Sequence, residues 1–310
     1  SLKNQIISKL ESNIETISDK NKALKEKNKS KRENINTLKN FKNKSCIPQF
    51  SAEKLGSEFF DKNDYEFIKQ IKKGSFGVVN LVRDKATKSK YFAIKTINTE
   101  HSGKTKDEIE KEIGLWEKLN NINKTHSIPN FYGQFTENLV WNEISYNLIF
   151  DHFPTSLKDV IENCKKNVNN PFPLEKILHY AKSLINSLAY MQTLNICHLD
   201  LKPDNILLDK SLNDVYIIDF SESKEIIVSA SDQTKKDLTV VGSPKYFSPE
   251  LYKSYKNDMN KKTKINPFKS DIFSLRIILL ELGTLTVPER DQDYEKNINE
   301  LQEQLKEALT

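Results

Sequence analysis

The chain has 310 residues, 37% hydrophobic and 29% charged, with a net charge of +5, which suits a globular body of one large domain or of two lobes with an extension. Its three cysteines (Cys46, Cys164 and Cys197) stand at unrelated spacings, which excludes a disulfide framework or zinc site and points to a reducing compartment. No stretch approaches the roughly 18 apolar residues of a membrane span, so a cytoplasmic or cytoskeleton-associated location is expected.

Residues 1–45 carry 12 Lys and Arg against five Asp and Glu, a local +7 that leaves −2 for the remainder. No aromatic residue precedes Phe41, so base stacking has little to work with, and the block reads as a solvated helix face without nucleic-acid binding. From residue 1 to about 42 there is no Pro or Gly, and a heptad repeats. One seam position reads Ile7, Ile14, Asn21, Asn28 and Ile35; the other reads Leu10, Ile17, Leu24, Lys31 and Leu38. The stripe fits a coiled coil, hence a helix-mediated homo-oligomer, or a lone helix docked on the domain or on a cytoskeletal or other large assembly. The two Asn and Lys31 weaken its middle and favour one register. Pro48 and Gly56 mark a linker over 46–64.

The pattern turns strand-like at Tyr65. Phe67–Ile71, Val78–Val82 and Tyr91–Lys95 read as three antiparallel strands joined by short turns, the first turn holding Gly74, Ser75 and Gly77. Glycines there let backbone N–H groups approach phosphates with no Cβ in the way. Lys95 ends an apolar strand, where a cation is costly to bury without a partner. A charged helix over Lys106–Leu119 follows, with Ile109, Ile113 and Trp116 at helical spacing. Of its Glu108, Glu112 and Glu117, Glu112 is the one that Ile113, Trp116 and Leu119 follow in the apolar register. Strands are expected at Asn130–Phe135 and Ser145–Phe150, then helices at Leu157–Cys164 and Leu174–Leu194. Strands first and helices later indicate an α+β, bilobal molecule with a ligand cleft between the lobes.

The most informative stretch lies beyond those helices. His198-Leu199-Asp200-Leu201-Lys202-Pro203-Asp204-Asn205 packs an acid, a cation and an amide onto one loop. A second acid, Asp219, follows the run Val215–Ile218, which reads as a buried strand. Farther on stand Gly242-Ser243-Pro244-Lys245-Tyr246-Phe247-Ser248-Pro249-Glu250 and Asp271-Ile272-Phe273-Ser274-Leu275.

Together these strings resemble the eukaryotic protein kinase superfamily, in its Ser/Thr class: H-x-D-x-x-x-x-N followed by D-F-x, an A-I-K strand, a Gly-rich turn and a Y-x-x-P-E segment. The resemblance implies a protein-kinase-like fold, with an antiparallel sheet plus one helix in an N-lobe over 65–150 and a mainly helical C-lobe over 154–310. It implies ATP and Mg²⁺ as cofactors and a protein substrate. Asp200 would meet the substrate hydroxyl, Lys202 would stabilise the transferring phosphoryl group, and Asn205 and Asp219 would hold the metal. Lys95 and Glu112 would pair over the phosphates. Gly74, Ser75, Gly77, Val79, Ala93, Lys95 and Leu207 would surround the nucleotide, with Phe150 guarding the back of the pocket and Asp151–Phe153 forming the hinge. Ser243 would contact Asp200 and Lys202, and Asp271 would brace the loop.

The chain departs from the family at four positions. Lys72 stands for the first glycine of the Gly-rich turn. Leu199 replaces the Arg that usually receives an activation-loop phosphate, which implies activity independent of phosphorylation at Ser229, Ser231, Thr234 or Thr239. Ser221 replaces the Gly of D-F-G at some expense of backbone freedom, and Arg276 occupies a normally small position, a change the sequence does not explain. After the helix that begins at Asp271 only the charged segment Asp291–Leu309 remains, expected as one helix, so either the sequence is cut short or the lower C-lobe is reduced, and Glu250 reads as lacking its usual Arg. The competing expectation is a kinase-like scaffold of weak or absent activity, docked through its N-terminal helix.

Overall fold

The computed structural model describes residues 62–74, 77–120, 127–139, 143–167, 171–226, 236–257, 262–289, 299–300 and 303. The heptad segment, the linker up to residue 61, Ser75, the stretch holding Ser229, Ser231 and Thr234, and all but three residues of Asp291–Leu309 lie outside it.

Five strands form the first sheet: β1 (Tyr65–Gly74), β2 (Gly77–Asp84), β3 (Tyr91–Asn98), β4 (Phe131–Asn138) and β5 (Ile144–Asp151). All neighbours are antiparallel, in the order β1-β2-β3-β5-β4. Alternation along β3 divides its side chains between two faces. Phe92 and Ile94 join Val82 and Ile149 in a small outer cluster, whereas Ile97 enters the main core. Ala93 and Lys95 thus share the inner face with Ile97.

Helix α1 (Lys106–Asn120) crosses that inner face between β3 and β4. Its start is fixed by a capping box, in which the Thr105 Oγ1 accepts from the Glu108 N–H (3.3 Å) and the Glu108 carboxylate accepts from the Thr105 N–H (2.8 Å). Ile109, Ile113 and Trp116 recur at helical spacing and are buried.

The second half begins with β6 (Thr155–Ser156), α2 (Leu157–Asn167), α3 (Leu174–Thr193) and β7 (Ile196–Cys197). It continues with β8 (Ile206–Leu208), β9 (Val215–Ile217), β10 (Lys224–Glu225), β11 (Lys236–Leu238), α4 (Pro249–Asn257), β12 (Thr263–Ile265) and α5 (Pro267–Thr284). The small sheets pair β6-β8-β9, β10-β7 and β11-β12. Asn266 caps α5, accepting from the Lys269 N–H (3.1 Å), and Pro267 occupies its first turn. One apolar core runs from Ile97, Ile113 and Leu148 through Phe220 to Tyr180, Leu184 and Ile278. The architecture is the expected bilobal α+β arrangement, a sheet with one helix joined to a mainly helical half.

One expectation needs correction. Val215–Ile218 is not buried throughout: Val215 and Ile217 are fully buried, but Tyr216 is only half-buried and stacks on Phe153. Glu250 is exposed at the start of α4, so its charge is solvated and carries no burial penalty. Arg276 also projects from the exposed face of α5, where its length needs no room in the core.

The two glycines of the first turn differ in what they do for the fold. A Cβ at Gly77 (φ 145°) would lie 2.3 Å from the Thr96 carbonyl oxygen of β3, whereas one at Gly74 would meet nothing closer than 4.0 Å. Gly77→Ala is therefore expected to lower the melting temperature by several degrees, and Gly74→Ala to leave it unchanged. Equal melting temperatures for the two variants would contradict this reading.

Candidate active site

Strand β3 presents the Lys95 Nζ to two carboxylates at once, Glu112 Oε1 of α1 at 2.7 Å and Asp219 Oδ1 at 3.0 Å. Glu108 is committed to the capping box and Glu117 is exposed, which leaves Glu112 as the α1 carboxylate facing Lys95. The second oxygen of Glu112 accepts from the Lys104 Nζ at 2.8 Å. Burial opposes charge on Lys95, Glu112 and Asp219, and mutual attraction overrides it. Desolvation would push the Glu112 carboxyl up, yet Lys95 and Lys104 draw it below the usual range. Desolvation would likewise raise Asp219, which Lys95 holds far below its ordinary value. Lys95 itself is raised by Glu112 and Asp219 against its own desolvation.

The loop after β7 is shaped by Asp271, buried near the start of α5. Its Oδ2 accepts from the His198 N–H and its Oδ1 from the Leu199 N–H, both at 2.8 Å. These bonds hold Leu199 at φ 66°, a left-handed conformation that costs a non-glycine residue roughly 1–3 kcal/mol. Asp219 has the same φ of 66°. The two strained residues flank the buried ring of His198, whose Nδ1 accepts from the Asp200 N–H (3.3 Å). Its Nε2 therefore carries the hydrogen donated to the Ile218 carbonyl (2.9 Å).

Asp200 is the most constrained side chain of the loop. Its Oδ1 accepts from the Ser243 Oγ (2.8 Å), while its Oδ2 accepts from the Lys202 Nζ (2.7 Å) and the Asn205 Nδ2 (3.1 Å). Lys202 also donates to the Ser243 Oγ at 2.8 Å. Gly242 allows this approach: at φ 100°, a Cβ there would stand 2.4 Å from the Leu199 carbonyl oxygen.

An aromatic joint connects the two halves. Phe220, almost wholly buried, packs edge-on against Trp116 of α1 (centroids 4.6 Å) and lies 5.3 Å from the His198 ring. Trp116 also meets Phe150 of β5 at 4.6 Å. Asp219, beside Phe220, is thereby tied to α1 through packing as well as charge. Ser221 lies outside the positive-φ region, and its side chain helps to hold the Asp219 carboxyl below its ordinary value. The left-handed residue of this segment is Asp219.

Asn205 donates from its Nδ2 to both the Asp200 carbonyl (2.9 Å) and carboxylate, which turns its own amide oxygen the other way. The Ile218 N–H donates to the Asn205 carbonyl (3.0 Å) and keeps the neighbouring Asp219 beside it. One amide oxygen and one carboxylate form a hard-oxygen donor set that fits Mg²⁺. Val79 and Ala93 lie on paired strands, Val79 opposite Lys95, and Ala93 is opposite Phe150. Leu207 sits on β8 opposite Tyr216. The Asp151 carboxylate is engaged by Asn130 (2.7 Å) and Tyr132 (2.7 Å), and its N–H donates to the Asn130 carbonyl (3.3 Å). Within Asp151–Phe153 those groups are thus already committed to the fold. Lys104 gave no signal in the sequence, since a lysine ahead of a charged helix ordinarily belongs to solvent.

Residues 65–309 match the family model described as the protein kinase domain. The chain is 30% identical over 227 residues to serine/threonine-protein kinase nekl-2 of Caenorhabditis elegans, covering 71% of this chain and 57% of that protein. It is 33% identical over 225 residues to serine/threonine-protein kinase Nek8 of Danio rerio, covering 71% and 28%. It is 28% identical over 249 residues to serine/threonine-protein kinase SRK2I of Arabidopsis thaliana, covering 78% and 60%. The chain thus spans less than two thirds of the length of each of these relatives.

Two measurements test the architecture of the site. Asp271→Ala leaves two buried amides without their acceptor and is expected to destabilise the protein by roughly 2–5 kcal/mol in denaturant unfolding. A loss below about 1 kcal/mol would contradict the brace. Lys95→Met strips the cation from carboxylates whose folded-state pKa values lie below their unfolded ones. The stability they contribute is present above about pH 4 and is lost as pH falls through the folded-state values. The melting-temperature gap between wild type and Lys95→Met should be widest near neutral pH and narrow as the pH falls, because the carboxyls left without the cation are raised by desolvation and take up protons before those of the wild type. A gap that is unchanged at the lowest pH would contradict the charge cluster.

Proposed function

The chain belongs to the protein kinase family, and from that premise we propose that it is an ATP- and Mg²⁺-dependent Ser/Thr protein kinase, transferring the γ-phosphoryl group to protein hydroxyls. The observation that carries the proposal is the geometry around Asp200. A carboxylate offers about four acceptor positions. Ser243, Lys202 and Asn205 fill three of them, one on Oδ1 and two on Oδ2. The position left on Oδ1 is where a substrate hydroxyl can donate, with the carboxylate held against rotation. The hydroxyl oxygen would then attack the γ-phosphorus while its proton moves to Oδ1 and the bond to the β–γ bridging oxygen breaks, with ADP as the leaving group.

The other residues divide the work of charge and position. An ammonium has three donors; Glu112 and Asp219 take two of those on Lys95, which leaves one for a phosphate oxygen. Lys202, bonded to both Asp200 and Ser243, would face the charge that develops on the transferring group. Asn205 and Asp219 would hold Mg²⁺, which when bound neutralises phosphate charge and fixes the phosphates in line. A cavity of about 680 Å³ opens beside the loop, lined among others by Lys202, Ser243, Tyr246 and Glu281, which supports a substrate as large as a peptide segment.

Purified protein with Mg·ATP and a generic Ser/Thr substrate should transfer phosphate, and Asp200→Asn should reduce the rate by roughly 10²–10⁴-fold while retaining the thermal shift from Mg·ATP. A wild-type protein that neither transfers phosphate nor shifts its melting temperature with Mg·ATP overturns the enzyme reading in favour of a kinase-like docking protein.

A further inference from the structure

Lys104 is a cation in an unusual place. It precedes the Thr105 cap of α1, follows Gly103 in the left-handed region (φ 65°), and donates its own N–H to the Ser102 Oγ at 3.2 Å. That turn sends its side chain inward along α1. It is only 9% exposed, against 60% for Lys106 two residues later, and it ends 2.8 Å from Glu112 Oε2. The Glu112 carboxylate is 2% exposed, so each of its oxygens needs a donor from within the protein.

Charge counting sharpens the point. Lys95 alone faces two carboxylates, Glu112 and Asp219, which leaves the cluster at −1. Lys104 brings it to neutrality. Glu222, three residues past Asp219, feels the attraction of the same ammonium, which opposes the rise that desolvation imposes on its carboxyl. Lys104 therefore acts on the helix that carries Glu112. When Lys95 turns a donor to a nucleotide phosphate, Lys104 still compensates Glu112. No guanidinium stands at Leu199 to organise these segments around a loop phosphate.

We propose that Lys104 is a positioning residue for phosphoryl transfer: by holding Glu112 Oε2 it keeps α1 seated and the Lys95–Glu112 pair formed before nucleotide or any loop phosphate arrives. The inference rests on the kinase reading for its consequence, though its structural content can be measured without catalysis.

Trp116 supplies the readout, since it lies on α1 against Phe150 and Phe220 and is buried. In a Trp141→Phe background, Lys104→Met should shift the Trp116 emission to the red as α1 leaves its seat. The same variant should weaken binding of Mg·ATP roughly tenfold by lowering the population of the competent state. Lys104→Arg should restore both signals, and Lys106→Met, on the exposed side of the first turn, should alter neither. If Lys104→Met fails to fold, Lys104→Gln, which keeps a donor but no charge, carries the same comparison. Wild-type emission and wild-type nucleotide affinity in the uncharged variant would overturn the proposal. The predicted emission pattern in a protein that transfers no phosphate would support the positioning role and overturn the enzyme reading alone.

Discussion

The ammonium of Lys95, held between Glu112 on α1 and Asp219 beyond β9, is the contact on which the geometry of the cleft depends. It joins three parts of the chain that are far apart in sequence: a strand of the first sheet, the helix lying across it, and the segment entering from the helical half. Desolvation penalises each of the three charges. Each favours the charged form of its partner, so breaking one contact disturbs the others. The aromatic joint of Phe150, Trp116, Phe220 and His198 runs alongside and makes the same connection through packing.

A second constraint shapes the loop that carries Asp200. Asp271 accepts from two consecutive amides and so stabilises a left-handed Leu199, which turns the backbone so that Asp200 points toward Ser243 and Lys202. Strain at Leu199 and Asp219 is thus balanced from beneath by α5 and from the side by the charge cluster. The departures from the family pattern fit this arrangement. Ser221 replaces a glycine without needing a left-handed φ. Arg276 and Glu250 face solvent, where neither requires the partners that a buried position would.

Much of the architecture was legible in the sequence because period and spacing encode it. Alternation marked the strands up to Phe150, and Ile109, Ile113 and Trp116 marked α1. The cluster Asp200, Lys202 and Asn205 was visible because the three residues share one short loop. What escaped was of another kind. Lys104 is distinguished only by the direction its side chain takes from a turn, and a run of charged residues conceals it. Tyr216 broke an apparently buried run because Phe153, distant in sequence, offered it a ring to stack on. The glycines looked alike in sequence, yet Gly77 is required by the nearness of Thr96 in the neighbouring strand, a tertiary fact. The second carboxylate on Lys95 likewise depended on how the two halves meet.

The central claim is that charge balance within the chain assembles the transfer site without a phosphate on the segment before Gly242. The most direct measurement is the rate of γ-phosphoryl transfer from Mg·ATP to a Ser/Thr substrate by protein treated exhaustively with phosphatase and then freed of it. The account predicts a rate equal to that of untreated protein. Loss of transfer on dephosphorylation, with recovery when the segment is phosphorylated again, would contradict it.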